Sequence, residues 1–113
     1  MTSSVFDSWP EQFTPPMRMV VDPPQPVTVD LAAAITTRPA HFRVDAVPLR
    51  VRQGGLRLAD TTAGLLHAWA RVSDGTWLAL VSFTLRTGNG QGLLHLEQWC
   101  PQHSVTHQHR PHR

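Results

Sequence analysis

Apolar and polar positions alternate along residues 64–100 in three runs, separated by turn-forming stretches: GLLHAWARV-SDG-TWLALVSFTLR-TGNGQG-LLHLEQWC. A period of two marks strands with one buried face, so the pattern predicts a meander of three antiparallel strands. Asp74-Gly75 lies between the first two. An Asp-Gly pair favours a tight two-residue hairpin, because both residues tolerate positive φ. Such a turn sets Val72 opposite Trp77, Ala70 opposite Ala79 and Leu66 opposite Phe83. One face then gathers Leu66, Ala68, Ala70, Val72, Trp77, Ala79, Val81 and Phe83, all apolar. The glycine-rich loop 87–92 leads into the third strand. Pairing Leu85 with Leu94 adds Leu94, Leu96 and Cys100 to this face, with Gln98 as the exception. The opposite face carries Trp69, Leu80 and Trp99 in one row, beside a polar row of His67, Ser82 and Glu97. Two readings of that second face follow. Another part of the chain covers it, as large side chains usually require, or it is an exposed aromatic patch that binds a partner.

The flanks carry weaker patterns. Residues 1–29 hold six of the ten prolines and no glycine. Pro15-Pro16, Pro23-Pro24 and Pro26 forbid a continuous helix and favour extended backbone. The same block carries Val5, Phe6, Trp9, Phe13, Met17, Met19, Val20 and Val21, which a solvated linker does not need. It reads as an extended arm covering apolar surface, with the Trp69–Trp99 row as its place; a Pro-rich peptide docked by a partner is the alternative. Residues 30–38 read as a short helix, with Asp30 at its N-cap and Pro39 as its stop. Residues 41–52 alternate loosely, and Pro48 makes them an edge strand or two pieces. Gln53-Gly54-Gly55-Leu56 then reads as a second hairpin turn, flanked by Leu49, Val51, Leu56 and Leu58. Residues 102–113 form a polar, His-rich tail, frayed from about His107.

The expected fold is mainly β: a small antiparallel barrel or curled sheet of about five strands between residues 41 and 100. A Pro-rich N-terminal arm and one short helix precede it, and residues 30–101 form the single β domain. Five-stranded barrels of the Src-homology or Tudor kind are the nearest shapes by architecture alone. In sequence, HAWARVSDGTWLALVSF and LEQWCP resemble short, uncharacterised actinobacterial proteins with an Asp-Gly turn, Trp-Leu-x-Leu-Val and a closing Trp-x-Pro. The resemblance covers residues 64–101. It implies a barrel-like module and no activity.

Composition narrows the class. A chain of 113 residues has room for one modest core. No run approaches the roughly 20 apolar residues that span a bilayer, and the first residues lack the basic and apolar regions of a signal peptide. A single cysteine leaves no intramolecular disulfide. These features point to a cytoplasmic protein without membrane partners. All ten basic residues are Arg, and the formal charge of +2 is too weak to argue for nucleic acid by itself.

Three groups of residues invite chemistry. Cys100, His103, His107 and His109 carry zinc's preferred donors, but they share one tail and lack a second ligand pair, so no metal or other cofactor is expected. Ser82, His67 and Glu97 suggest a triad, yet the middle of a sheet offers neither a nucleophile elbow nor oxyanion donors. Arg43, Arg50, Arg52 and Arg57 cluster around the second hairpin, where Arg can pair with phosphate and Trp can stack on bases. The sequence therefore reads as a non-enzymatic interaction module. Its expected partner is another protein or a second copy, bound through Trp69, Leu80, Trp99, His67 and Glu97. The alternative is a small nucleic-acid-binding regulatory protein using the four arginines.

Overall fold

The computed structural model describes residues 5–37 and 47–108. Five antiparallel strands form a curled half-barrel sheet. They are β1 (Arg18–Asp30), β2 (Thr61–Arg71), β3 (Trp77–Arg86), β4 (Leu93–Pro101) and β5 (Val105–His107), in the order β4-β3-β2-β1-β5. Two short helices, α1 (Leu31–Ala34) and α2 (Leu49–Gly54), and a 3-10 turn at Gln102–Ser104 complete the described elements.

The three strands of the meander form where the alternation predicts them, and Leu85 pairs with Leu94 as expected. The register of the first hairpin differs from expectation. Arg71 stands opposite Trp77, Ala70 opposite Leu78 and Trp69 opposite Ala79. The connection has three residues, Ser73-Asp74-Gly75. Gly75 N–H donates to the Val72 carbonyl (2.8 Å) and Val72 N–H to the Thr76 carbonyl (2.7 Å). Gly75 takes the left-handed conformation (φ +96°). This is a type I turn closed by a glycine bulge, the common three-residue alternative to the two-residue turn.

A second irregularity follows within β2. The pairing slips at His67, so that Leu66 faces Val81 while Ala68 faces Leu80. On the other side of β2, the β1 pairing jumps between Val20 and Gln25 at the same level, where Pro23-Pro24 interrupt the ladder. An unpaired residue reverses the inside–outside alternation beyond it. Leu66 therefore faces one side of the sheet, and Ala68 and Ala70 the other.

Two cores result. The larger contains Val27, Val29, Leu31, Ala34, Leu66, Ala79, Val81, Phe83, Leu85 and Cys100. Gly64 sits among them, where a Cβ would lie 2.8 Å from the Ser82 carbonyl oxygen and 2.9 Å from Val81 Cγ1. The smaller core, on the opposite face, is Phe6, Ala68, Ala70 and Leu80, with Trp9 and Trp99 packed against them. The N-terminal block thus has two roles. Phe6 and Trp9 cover the second face, and residues from Arg18 onward form a strand inside the sheet.

The flanks depart furthest from expectation. Residues 49–54 are helical and contribute no hairpin strand. Pro48 (φ −58°) presets the first turn, Leu, Arg and Gln favour helix, and Gly55 closes it with its N–H on the Val51 carbonyl (2.8 Å). The helix buries no side chain. It is anchored by backbone: Gly88 N–H donates to the Gly55 carbonyl and Asn89 N–H to the Gln53 carbonyl, both at 2.9 Å. A Cβ at Gly88 would collide with the Arg52 carbonyl. Helix α1 is a single turn, so the expected helix 30–38 is shorter and a second one exists. His107, expected in a frayed tail, lies in β5 opposite Val27. Gln108 Nε2 donates to the Val27 carbonyl (3.2 Å). Such an edge strand needs only backbone donors and acceptors, so its side chains carry no pattern. The loose alternation at 41–46 lies outside the described residues.

Candidate functional site

The changed register separates the residues expected to form one aromatic row. Leu80 is buried and Trp99 half-buried beneath the N-terminal arm, with the Phe6 and Trp99 rings 6.0 Å apart. Phe6 also meets Trp9 edge-on at 5.6 Å, and the Arg18 guanidinium lies 5.4 Å above the Phe6 ring. Arg18 Nε donates to the Trp9 carbonyl at 2.6 Å, which ties the arm to β1. Trp69 sits on the other face, opposite Ala79. Leu80 and Trp99 therefore pack together beneath the arm, and Trp69 lies apart from them on the other face.

Trp69 has different company. Its ring meets Trp77 edge-on, with centroids 6.5 Å apart and planes at 84°. Met19 pairs with Trp69 across β1 and β2 and is 54% exposed. The Arg71 guanidinium lies 5.3 Å over the Trp77 ring, and its Nε donates to the Gly75 carbonyl (3.2 Å). Met19, Trp69, Trp77 and Gln102 line a cleft of about 160 Å³. A second opening of about 450 Å³ runs from Trp77 along Thr76, Pro101 and His103. Beyond the hairpin tip, a groove of about 490 Å³ lies between the arm (Trp9, Phe13, Met17) and Arg71–Ser73. The hairpin end thus gathers two half-exposed tryptophans, two methionines, an exposed Phe13 and a cation. The two tryptophans are fixed by paired strands, whereas the residues around them leave room for one apolar side chain.

Trp77 and Met19 were not legible as site residues. The two-residue turn places Trp77 in the core, and Met19 falls in a block with no readable register. The tripeptide Ser-Asp-Gly also fits a three-residue turn, and that alternative would have brought Trp69 and Trp77 to one face.

The polar row survives in part. His67 Nε2 and Ser82 Oγ are 2.7 Å apart, and Glu97 stands across from Ser82, exposed. Ser82 is in the middle of an interior strand whose neighbouring amides serve the sheet ladder, so no oxyanion-binding amides converge on it. Of the arginines, Arg50 and Arg52 are exposed on α2, Arg57 pairs with Asp60 at 2.7 Å on the surface, and Arg43 lies outside the described residues. Helix α2 is tied to residues 87–89 just past the end of β3, whereas the tryptophan pair lies at its start, with Trp77 in β3 and Trp69 opposite Ala79. A ten-residue strand separates them by about 30 Å.

The sulfur and imidazoles behave as separate groups. Cys100 is buried in the larger core, and burial pushes its thiol pKa up, a shift partly offset by a hydrogen bond from Gln98. His103 and His107 are exposed, in the turn after β4 and in β5, and His109 lies outside the described residues. Among the described residues no three His, Cys, Asp or Glu side chains gather where they could hold a metal ion. No described helix is long and apolar enough to cross a membrane. No family model, curated protein or solved structure matches this chain.

Proposed function

We propose that the protein is a non-enzymatic binding module whose partner is another protein, and that the hairpin end holds it. The observation that carries this reading is the pair of perpendicular, half-exposed tryptophans with exposed Met19 across a small apolar cleft. A soluble domain of this size seldom leaves so much aromatic surface uncovered without use. Aromatic rings and methionine are enriched at the centres of protein interfaces and supply much of their binding energy. The cleft's size suits one inserted apolar side chain of a partner, with Arg71 at the rim offering hydrogen bonds to its backbone.

The nucleic-acid reading has less support. It relies on the arginines around α2, and Arg50, Arg52 and Arg57 stand toward the Arg86 end of β3, away from the tryptophan pair, which has Arg71 alone beside it. The test is affinity capture from the native host on immobilised wild type and on Trp77→Ala and Met19→Ala variants that still fold. A protein retained by the wild type and lost with either variant supports the proposal. Capture indifferent to both substitutions overturns it. A bound species that dissociates steeply with added salt would instead favour phosphate contacts.

A further inference from the structure

Among the described residues the half-barrel does not close, and its two outer strands differ. Strand β5 is three residues long, whereas β4 has nine and carries Leu93 (52% exposed) and Leu94 (48%). Long, flat, apolar edges are normally blunted by charge, proline or cover. Among the described residues, no strand pairs with the outer side of β4.

The hairpin geometry identifies which groups face outward. Thr87 N–H donates to the Gly92 carbonyl at 3.0 Å, so this pair is hydrogen-bonded within the β3–β4 ladder. Backbone groups alternate sides along a strand. Leu94, Leu96, Gln98 and Cys100 therefore point their amides and carbonyls toward β3. Leu93, His95, Glu97 and Trp99 point theirs to the open edge.

We propose that this edge pairs antiparallel with the same edge of a second copy of the chain, in the register that sets Leu96 opposite Leu96. A twofold axis requires a self-complementary strand, and few registers satisfy the hydrogen bonding. Outward residues must face outward residues, so the axis falls on a residue of β4 and not between two neighbours. With the axis at Glu97, two carboxylates meet. With it at His95, two imidazoles meet and Leu93 faces Glu97. With it at Leu96, each His95 faces the partner copy's Glu97, and each Leu93 faces the partner copy's Trp99. That register gives two donor–acceptor pairs and two apolar pairs with no like-charge contact.

The His95 side chain is already oriented for this. Its Nδ1 lies 2.7 Å from Thr84 Oγ1. With the hydroxyl donating to Nδ1, the ring proton sits on Nε2, free to donate to a carboxylate. Pairing two β4 edges joins the half-barrels into one continuous ten-stranded sheet and covers the exposed leucines. This surface is separate from the tryptophan pair, so the proposal stands or falls independently of the partner reading.

Sedimentation of the purified chain should show a dimer. Glu97→Lys should weaken it by about tenfold or more, because each of two symmetric pairs loses its acceptor. The double variant His95→Glu/Glu97→Lys restores opposite charges across the axis and should recover the dimer. Circular dichroism checks that the variants fold; both positions are exposed. Leu96→Cys tests the register directly. Residues facing each other in a non-hydrogen-bonded antiparallel pair lie about 4.5 Å apart at Cα, within disulfide reach. Mild oxidation should cross-link Leu96→Cys, whereas Leu94→Cys, set opposite Gln98, should not react. A monomer at high concentration, a dimer indifferent to Glu97→Lys, or cross-linking at 94 in preference to 96 would each overturn the proposal.

Discussion

The two faces of the sheet are held by different means. On one, strands and α1 supply interlocking aliphatic side chains: Val27, Val29, Leu66, Val81 and Cys100 are all without measurable exposure. On the other, the sheet offers mainly Ala68, Ala70 and Leu80, and the bulk comes from Phe6, Trp9 and Trp99. The first face is close-packed by the sheet itself and α1, which follows it directly. The second is a shallow alanine floor under a lid of rings, of which Phe6 and Trp9 are carried by a segment outside the sheet and Trp99 by β4. A small domain can therefore place most of its stability on one face and use the other as a seat for its own N-terminus. The half-exposed pair Trp69 and Trp77 lies at the rim of the first face, where close packing runs out.

The largest test of this contrast is deletion within the first face. Phe83→Ala should lower unfolding free energy by about 3–5 kcal/mol, the range for a buried aromatic whose cavity cannot collapse. Chemical denaturation measures it. A loss near that of a surface substitution would show that the first face is not the main source of stability.

A smaller loss is expected on the second face. Phe6 is only 5% exposed, but it belongs to a lid, and the alanine floor beneath it can be wetted without leaving a closed cavity. Phe6→Ala should cost about 1.5–3 kcal/mol, close to the transfer value of one side chain. It should also shift Trp99 emission to the red as that ring loses cover. Trp69→Ala and Phe6→Ala should be additive, since Trp69 packs against the larger core on the other face, whereas Trp99→Ala and Phe6→Ala should not be, since those rings meet. Coupling between Trp69 and Phe6 would restore a shared row of Trp69 and Trp99.

How far the sequence reveals this molecule differs between the same regions. The strands from Thr61 to Pro101 are readable because alternation, glycine and Asp-Gly punctuation all act locally. The fold class is readable for the same reason, but residues 49–52 and 56–58, expected on either side of a hairpin turn, form a helix and an isolated bridge instead. Strand β1 is hidden because prolines argue against a ladder. In fact Pro23 and Pro24 fall at its irregularity, and Pro26 pairs with Leu65 near the short edge strand. Strand β5 is hidden because an edge paired by backbone leaves no side-chain period. The site is lost to a single unit of register. One extra turn residue and one bulge at His67 move Trp77 and Trp69 to one face, and Ala68 and Ala70 to the other. Neither irregularity has a unique local signature, since bulges follow from the twist of the assembled sheet.

The hairpin tip that sets this register should tolerate less than its exposure suggests. Gly75 holds φ +96° in open space, with no atom beyond its two chain neighbours within 4 Å of a built Cβ. A side chain there meets no clash, so any loss reports backbone strain alone. Gly75→Val should cost about 1 kcal/mol or slightly more. Stability within error of wild type would mean that the three-residue turn can rearrange, and with it the facing of Trp69 and Trp77.

The smallest effect belongs to Asp74 and is visible only in acid. Thr76 Oγ1 donates to Asp74 Oδ1 at 2.6 Å and Thr76 N–H donates to the same oxygen at 2.9 Å. These bonds, the hydroxyl's first and the amide's second, hold the carboxyl pKa below its ordinary value of 3.8. A carboxylate favoured in the folded state contributes stability that is fully present above the unfolded pKa. It is lost as pH falls through the lower folded value. Between neutrality and the ordinary carboxylate range this group should therefore give no pH dependence. Thr76→Val removes the hydroxyl donor and leaves the amide. The wild type should melt slightly above this variant at neutral pH, and the gap should close well below pH 3.8. The side chains are fully solvated, so screening keeps the gap small. A gap that stays constant into strong acid would mean that Thr76 acts through strand propensity and not through the Asp74 carboxylate.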